Sequence, residues 1–400
     1  MMPKDYSPFT PGQLVPIDFF VGRVKEVDLL RVQVLDSSVT SRLKVNFLTG
    51  ERGIGKSSLA TFVRYLVEKD SEILGIYASL GGVSSLTGMA RKIFDRLLKE
   101  SAEKPWYGKI SDLFGEHIKQ VGLFGVTLEF KASREDLQSI VNNFAEAIRQ
   151  LNSRLGEQKR GIYIILDDIN GLATSPDFAN WLKSFIDEVG ASRTSLPLCL
   201  LFVGLDEKRH SLIRLQPSLA RVFDIVDIQT WSKEETAEFY KKVFAEVGIE
   251  VDDDALAVMS VYAGGLPVLA QEIGDATFKR TTSNRVTLAD ATAGVVAAAD
   301  IVGRKHLEPQ VFNAIRSKSY RTILKRVGEE PFEFRFRKKE VRKLLSKTED
   351  KAFDNFLQKM KRLGAIVPVP DEGRGVYRFQ NRLHYFYFYM EAEKARKSGE

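Results

Sequence analysis

The 400-residue sequence has one cysteine, four histidines and no apolar run long enough to cross a bilayer. Each scarcity removes a class of function. Cys199 alone cannot build a disulfide framework, and its setting in LPLCLLFVG predicts a buried strand position, not a reactive thiol. His117, His210, His306 and His384 are scattered without ligand spacing, so no transition-metal site is expected. Residues 1–16 are polar and broken by proline, unlike a basic-then-apolar leader. A membrane-spanning helix needs about 20 apolar residues in succession, so the expectation is a cytoplasmic protein with no membrane partner.

What is present points to two or three domains, because a chain this long exceeds one ordinary core. The formal charge of +6 is unevenly spread. From Arg304 to the end there are 24 Lys or Arg against 13 Asp or Glu, a net +11, which leaves the first 303 residues at −5. A basic C-terminal part predicts an anionic partner there, double-stranded DNA most directly, with a merely solubilising surface as the alternative.

The stretch LKVNFLTGERGIGKSSLA, Leu43 to Ala60, reads as strand, glycine-rich loop and helix start. Gly50, Gly53, Gly55, Lys56 and Ser57 fill the G-x-x-x-x-G-K-[ST] pattern. Positions without side chains there let backbone N–H groups turn onto a phosphate. Apolar Leu43, Val45, Phe47 and Leu48 come before it, and Leu59, Phe62, Val63 and Leu66 recur at helical spacing after it. Lys56 is therefore expected on the β- and γ-phosphates of ATP, with Ser57 offering its hydroxyl to Mg²⁺. Arg52, Ile54 and Ser58 complete the expected cradle at a helix N-terminus.

A second signal is GIYIILDDIN, Gly161 to Asn170, an apolar strand that ends in two carboxylates. Acids at the C-terminal edge of a parallel sheet lie where ligands of open α/β folds collect. Asp167 is the expected Mg²⁺-side acid. Further strands are expected at Ile73 to Leu80, Leu123 to Phe130, Leu196 to Gly204 and Asp224 to Gln229. Helices are expected at Ser85 to Lys99 and, as one long element, at Ser133 to Leu155. Ser232 and Glu235 form a capping box for a helix, and Asp252 or Asp253 caps another.

These motifs together resemble the AAA+ and STAND-type ATPases of the archaeal-type group, and the layout is similar to that of replication-initiator ATPases. FVGRVKE resembles the N-terminal box that lies across adenine in those families, which implies that Val21, Gly22 and Arg23 border the base. GGLP resembles a G-x-P motif, which implies that Pro267 packs near it; a plain helix start at that proline is the alternative. Asp168 stands where the family usually has a glutamate that orients the attacking water. Arg221, or second Arg214, occupies the place of an arginine finger aimed at a neighbour's nucleotide, with a structural ion pair as an equal alternative. The chain reads VGLD where a polar γ-phosphate sensor is usual, leaving Asp206 as its candidate.

Helices expected at Glu308 to Val327, Arg337 to Ser346 and Thr348 to Leu363, the last capped by Thr348, precede a hairpin at Ala365 to Val369 and Val376 to Phe379. That is a winged-helix pattern. Its third helix would present Lys351, Asn355, Gln358, Lys359 and Arg362 to DNA, with Arg374 at the wing tip. Winged helices also dock proteins, and the aromatic tail from Leu383 to Ala392 is a second candidate surface for a protein partner. The expected fold is thus α/β: a P-loop core with a parallel sheet over 1–230, a helical lid over 231–303 and a winged-helix domain over 304–400. The expected activity is ATP hydrolysis coupled to partner binding and to homo-oligomer assembly. The alternative is an ATP-dependent assembly switch with little turnover and no direct DNA binding.

Overall fold

Runs of β-branched and aromatic residues that are apolar on both faces can only be strands covered on both sides. Such runs make most of the central sheet, joined by one edge strand exposed at three of its five positions, in the computed structural model, which describes residues 6–115, 118–121, 127–312, 314–315, 317–329 and 335–398. The chain divides into two compact units, residues 22–229 and residues 1–21 with 230–400.

The first unit contains α1 (Val24–Thr40), β1 (Lys44–Gly50), α2 (Lys56–Asp70), β2 (Ile73–Ser79), α3 (Leu86–Ser101) and α4 (Tyr107–Phe114). It continues through β3 (Ile118–Val121), β4 (Thr127–Phe130), α5 (Arg134–Asn142), α6 (Phe144–Leu155), β5 (Gly161–Asp167), α7 (Pro176–Ala191), β6 (Leu198–Val203), α8 (Asp206–Leu215) and β7 (Asp224–Ile228). The sheet runs β2-β5-β6-β1-β7, and every pairing is parallel. β5 and β6 are buried at every position, so Cys199 on β6 is a core residue, and burial pushes its thiol far above the usual range.

β3 and β4 form a separate antiparallel hairpin. The strand expected from Leu123 is described from Thr127 onward, and residues 122–126 lie outside the described ones. The single helix expected from Ser133 to Leu155 is two helices. Asn143, with φ −118° and ψ 36°, leaves the helical region between α5 and α6, and Asn competes well with helix backbone because its amide bonds locally. Here the Asn143 side chain donates to the Ser139 carbonyl at 3.0 Å.

The second unit contains α9 (Lys233–Glu246), β8 (Glu250–Val251), α10 (Asp253–Ala263), α11 (Pro267–Phe278), β9 (Arg285–Val286) and α12 (Leu288–Val302). The Ser232–Glu235 capping box of α9 is formed on both sides. The N-terminal stretch, which carries no sequence period, belongs with these helices. Phe9 is 3% exposed, its ring packs 4.9 Å from that of Phe244, and Thr10 N–H donates to Gln271 at 2.8 Å.

Beyond α12 come a π-helical segment (Gly303–Phe312), α13 (Lys318–Glu329), β10 (Arg335–Arg337), α14 (Lys338–Leu344), α15 (Lys347–Arg362), β11 (Ile366–Pro368), β12 (Val376–Phe379) and α16 (Arg382–Ser398). One helix was expected from Glu308 to Val327. Two segments stand there instead, with Pro309 inside the first, and proline deprives an α-helix of a ladder donor. α15 is capped not by Thr348 but by Ser346, which closes a box with Glu349. The expected hairpin gains a third strand, since β10 pairs antiparallel with β12. Arg335 and Arg337 flank buried Phe336 there, and so short an alternation hides next to a helix start. The core under these elements gathers Ile323, Phe336, Val341, Phe353, Phe356 and Phe379.

Candidate functional site around the glycine-rich loop

Each glycine of the loop after β1 takes a positive φ: 143° at Gly50, 75° at Gly53 and 94° at Gly55. Any side chain at Gly50 would meet the Ile228 carbonyl of β7 at 2.9 Å, so the chain can leave the sheet there only as glycine. Ile54 turns inward and is 1% exposed, anchoring the loop; Arg52 is exposed, and Ser57 and Ser58 are half-buried. Gly55 is the N-cap of α2 and supplies no capping side chain, and no acid lies in the first turn. A helix start of that kind, with no side-chain cap and no acid, suits an anion. Lys56 Nζ donates to the carbonyls of Gly50 and Glu51, each at 2.8 Å. Burial pulls the Lys56 pKa below its usual value, and the Asp167 and Asp168 carboxylates act against that pull.

Those two carboxylates end β5, two strands from β1 in the sheet. Asp167 is 7% exposed. Its Oδ1 accepts the Asp168 N–H at 2.8 Å, and its Oδ2 accepts the Tyr77 hydroxyl. Asp168 is exposed and takes φ 57°, a left-handed conformation that costs a non-glycine residue about 1 kcal/mol or more and tends to mark functional turns. The Asn170 amide donates to Asp168 Oδ1. The structure therefore brings Lys56, Ser57, Asp167 and Asp168 to one edge of one sheet.

Tyr77 and Asn170 are polar members of this group that sequence reasoning missed. A tyrosine inside the apolar strand ILGIYAS was the available signal, but only the pairing of β2 with β5, which sets Ser79 opposite Asp167, shows what it faces. Asn170 lay in plain view two residues beyond Asp168, yet its partner depends on the turn.

The remaining sequence candidates lie on other elements. Val21 is 4% exposed, and Gly22 (φ 64°) and Arg23 (φ 62°) turn the chain into α1. The Arg23 guanidinium is buried and spent on backbone: it donates to the Gln229 carbonyl and, at 3.2 Å, to that of Ile54. It thus ties the glycine-rich loop to the end of β7. Pro267 is the buried first residue of α11. The glycines before it have a packing reason, because a Cβ on Gly265 would lie 2.4 Å from the Trp231 carbonyl.

Arg221 is exposed and lines a cleft of about 680 Å³ with Arg42, Lys44, Arg193 and Asp224. Lys44 and Asp224 begin β1 and β7, so this cleft is at the opposite sheet edge from the glycine-rich loop. Arg214 instead donates to Ser211 on its own helix at 2.9 Å. Asp206, at the start of α8, is held by Arg209 at 2.8 Å and His210 at 3.0 Å. It borders a second cleft with Gly50, Glu51 and Asp227.

In the second unit, Lys351, Asn355, Gln358 and Arg362 are exposed and Lys359 is half-buried on α15; Arg374 is exposed between β11 and β12. The acids of α15 are neutralised by α14. Arg342 meets Asp350 and Asp354, each at 2.9 Å, and Lys338 also pairs with Asp354. The hydrogen bond from Lys338 and the neighbouring positive charges hold the Asp354 carboxyl below its usual range.

Residues 20–203 match the family model of the AAA ATPase domain. No curated protein matches the sequence. Among solved structures, a Walker-type ATPase of Pyrococcus abyssi is 17% identical with a TM-score of 0.55, covering 92% of this chain and 96% of its own. The Aeropyrum pernix ORC2 protein, in ADPNP–ADP complexes, is 14% identical with a TM-score of 0.59, covering 99% of this chain and 97% of its own. At such identities the likeness is one of fold, and it extends over nearly all of both chains. The match to the AAA ATPase domain model takes in both the glycine-rich loop and the strand-end acids, and over the rest of the chain the likeness is to the fold of these ATPases.

Proposed function

We propose that the protein binds and hydrolyses ATP, and that the state of its nucleotide controls binding of double-stranded DNA by its basic C-terminal part. The observation that carries the reading is the meeting of an uncapped helix N-terminus, a lysine and two carboxylates at one edge of the sheet. Amides at the start of α2 would cradle the phosphates while Lys56 exchanges its bonds to Gly50 and Glu51 for phosphate oxygens. The Ser57 hydroxyl and Asp167 carboxylate are hard oxygen donors, a set that fits Mg²⁺; the ion would supply charge for the transferring phosphoryl group. Asp168 would orient the attacking water, giving ADP and phosphate. Arg221, at the far edge of the same sheet, suits a finger offered to the nucleotide of another copy and not to its own, which makes a homo-oligomer the active form.

For the second unit, the reading is a helical lid over 231–303, which the N-terminal stretch joins, and a winged-helix domain over 304–400, leaving the core at 22–229. Its support is the element order α13, β10, α14, α15, β11, β12 and the exposed row Lys351, Asn355, Gln358 and Arg362. The row recurs every three or four residues and so shares one helix face. The test is a titration of duplex DNA with and without a non-hydrolysable ATP analogue, read beside oligomeric state. The expected result is affinity that changes with the analogue and falls steeply from low to moderate salt. No duplex binding at low salt would remove the DNA half of the reading.

One observation favours a slower machine. Asp168 is one methylene shorter than a glutamate, and Asn170 already holds one of its oxygens. An assembly switch with little turnover and a protein partner, reached through the C-terminal part or the aromatic helix α16, is the second reading. Single-turnover kinetics at several protein concentrations separate the two, since turnover that climbs with concentration belongs to an assembling ATPase.

A further inference from the structure

We infer that Tyr77 is a positioning residue for the divalent-ion site proposed at Ser57 and Asp167, fixing the Asp167 carboxylate through its phenol hydroxyl. The inference rests on the proposed role of those two residues and adds a member from a strand that carries no nucleotide motif.

Tyr77 is the fifth residue of β2 and the half-buried exception in a run of buried positions. β2 is the edge strand beside β5, so its side chain can reach the end of β5 without crossing another strand. The Tyr77 hydroxyl donates to Asp167 Oδ2.

A carboxylate ligand needs its plane fixed. Asp167 has Oδ2 tied to Tyr77 and Oδ1 tied to the Asp168 N–H at 2.8 Å, while each oxygen keeps a further lone pair. Tyr77 and the Asp168 amide thereby hold the Asp167 carboxylate from both oxygens. Partners that orient metal ligands in this way typically change metal affinity by about 10–100-fold when removed.

The test compares the full-length chain with Tyr77→Phe, which keeps the ring and removes the oxygen. A fluorescent ATP analogue is titrated at fixed concentration against Mg²⁺, and separately in excess EDTA. The expected result is a rise of about tenfold or more in the Mg²⁺ concentration giving half-maximal effect, with EDTA affinity equal to wild type. Equal loss in both titrations means a structural role and overturns the inference, as does an unchanged Mg²⁺ requirement. If the wild-type chain binds the analogue with no Mg²⁺ dependence, the assignment of Ser57 and Asp167 fails first, and the two failures are distinguishable.

Discussion

On the proposed reading, two regions of this molecule meet anions in different ways. In residues 22–229 the proposed phosphate site is a backbone device: glycine conformations, an uncapped helix N-terminus and one lysine satisfied by its own loop's carbonyls. In the part that begins at Arg304 the attraction comes from side chains, with a net +11 and exposed Lys351, Arg362 and Arg374. Backbone donors are fixed in place and select a ligand by shape. Long basic side chains are mobile, sense charge over a screening length of about 10 Å and lose strength in salt. The first kind of site suits a small ligand held in one pose, the second a polyanion met in many registers.

The sharpest break in this comparison is Lys56→Ala. It should take ATP turnover to background and weaken nucleotide affinity, while duplex binding by the C-terminal part in the absence of nucleotide stays as in wild type; phosphate release and a gel shift check the two halves. Next, Arg221→Ala should cut turnover by about 10³-fold or more at concentrations where the protein assembles, as loss of a finger does, and leave nucleotide affinity unchanged. An equal loss of affinity would place Arg221 in its own chain's site or in the fold.

Phe9→Ala tests the assignment of the N-terminal residues to the helical unit. Removing a buried aromatic ring costs about 3–5 kcal/mol, so the thermal transition of the second unit should fall while nucleotide affinity of the core is preserved. The smallest effect is that of Lys351→Ala on α15. Duplex affinity should drop several-fold and uniformly across sequences, and the salt slope should shrink by about one; a loss confined to one DNA sequence would make Lys351 a base-reading residue.

Legibility differed along the same line. The glycine-rich loop could be read from residues 50–57 because every part of it is local: glycine positions, the lysine and the helix that follows. The strand-end acids were equally plain, since an apolar run closing in Asp167 and Asp168 says where the strand stops. Arg23 was read only by resemblance, and its carbonyl partners at Ile54 and Gln229 lie far from it in sequence. The helix break at Asn143, the Ser346 cap and the strand at Arg335–Arg337 went unread because each is a choice between near-equal local options that packing resolves. Phe9 shows the same limit, as nothing near it in sequence announces the helices that bury it.

By itself, then, the sequence determined the phosphate loop, the strand-end acids, the lone buried cysteine and the basic C-terminal end, because each depends on residues adjacent in the chain or on a sum of charges. Only the tertiary structure decided that β2 lies beside β5, that Tyr77 reaches Asp167, and that Arg221 stands at the opposite sheet edge from Lys56. Strand order is fixed by how helices cover the two faces of the sheet, a competition among distant segments that no single stretch of chain records.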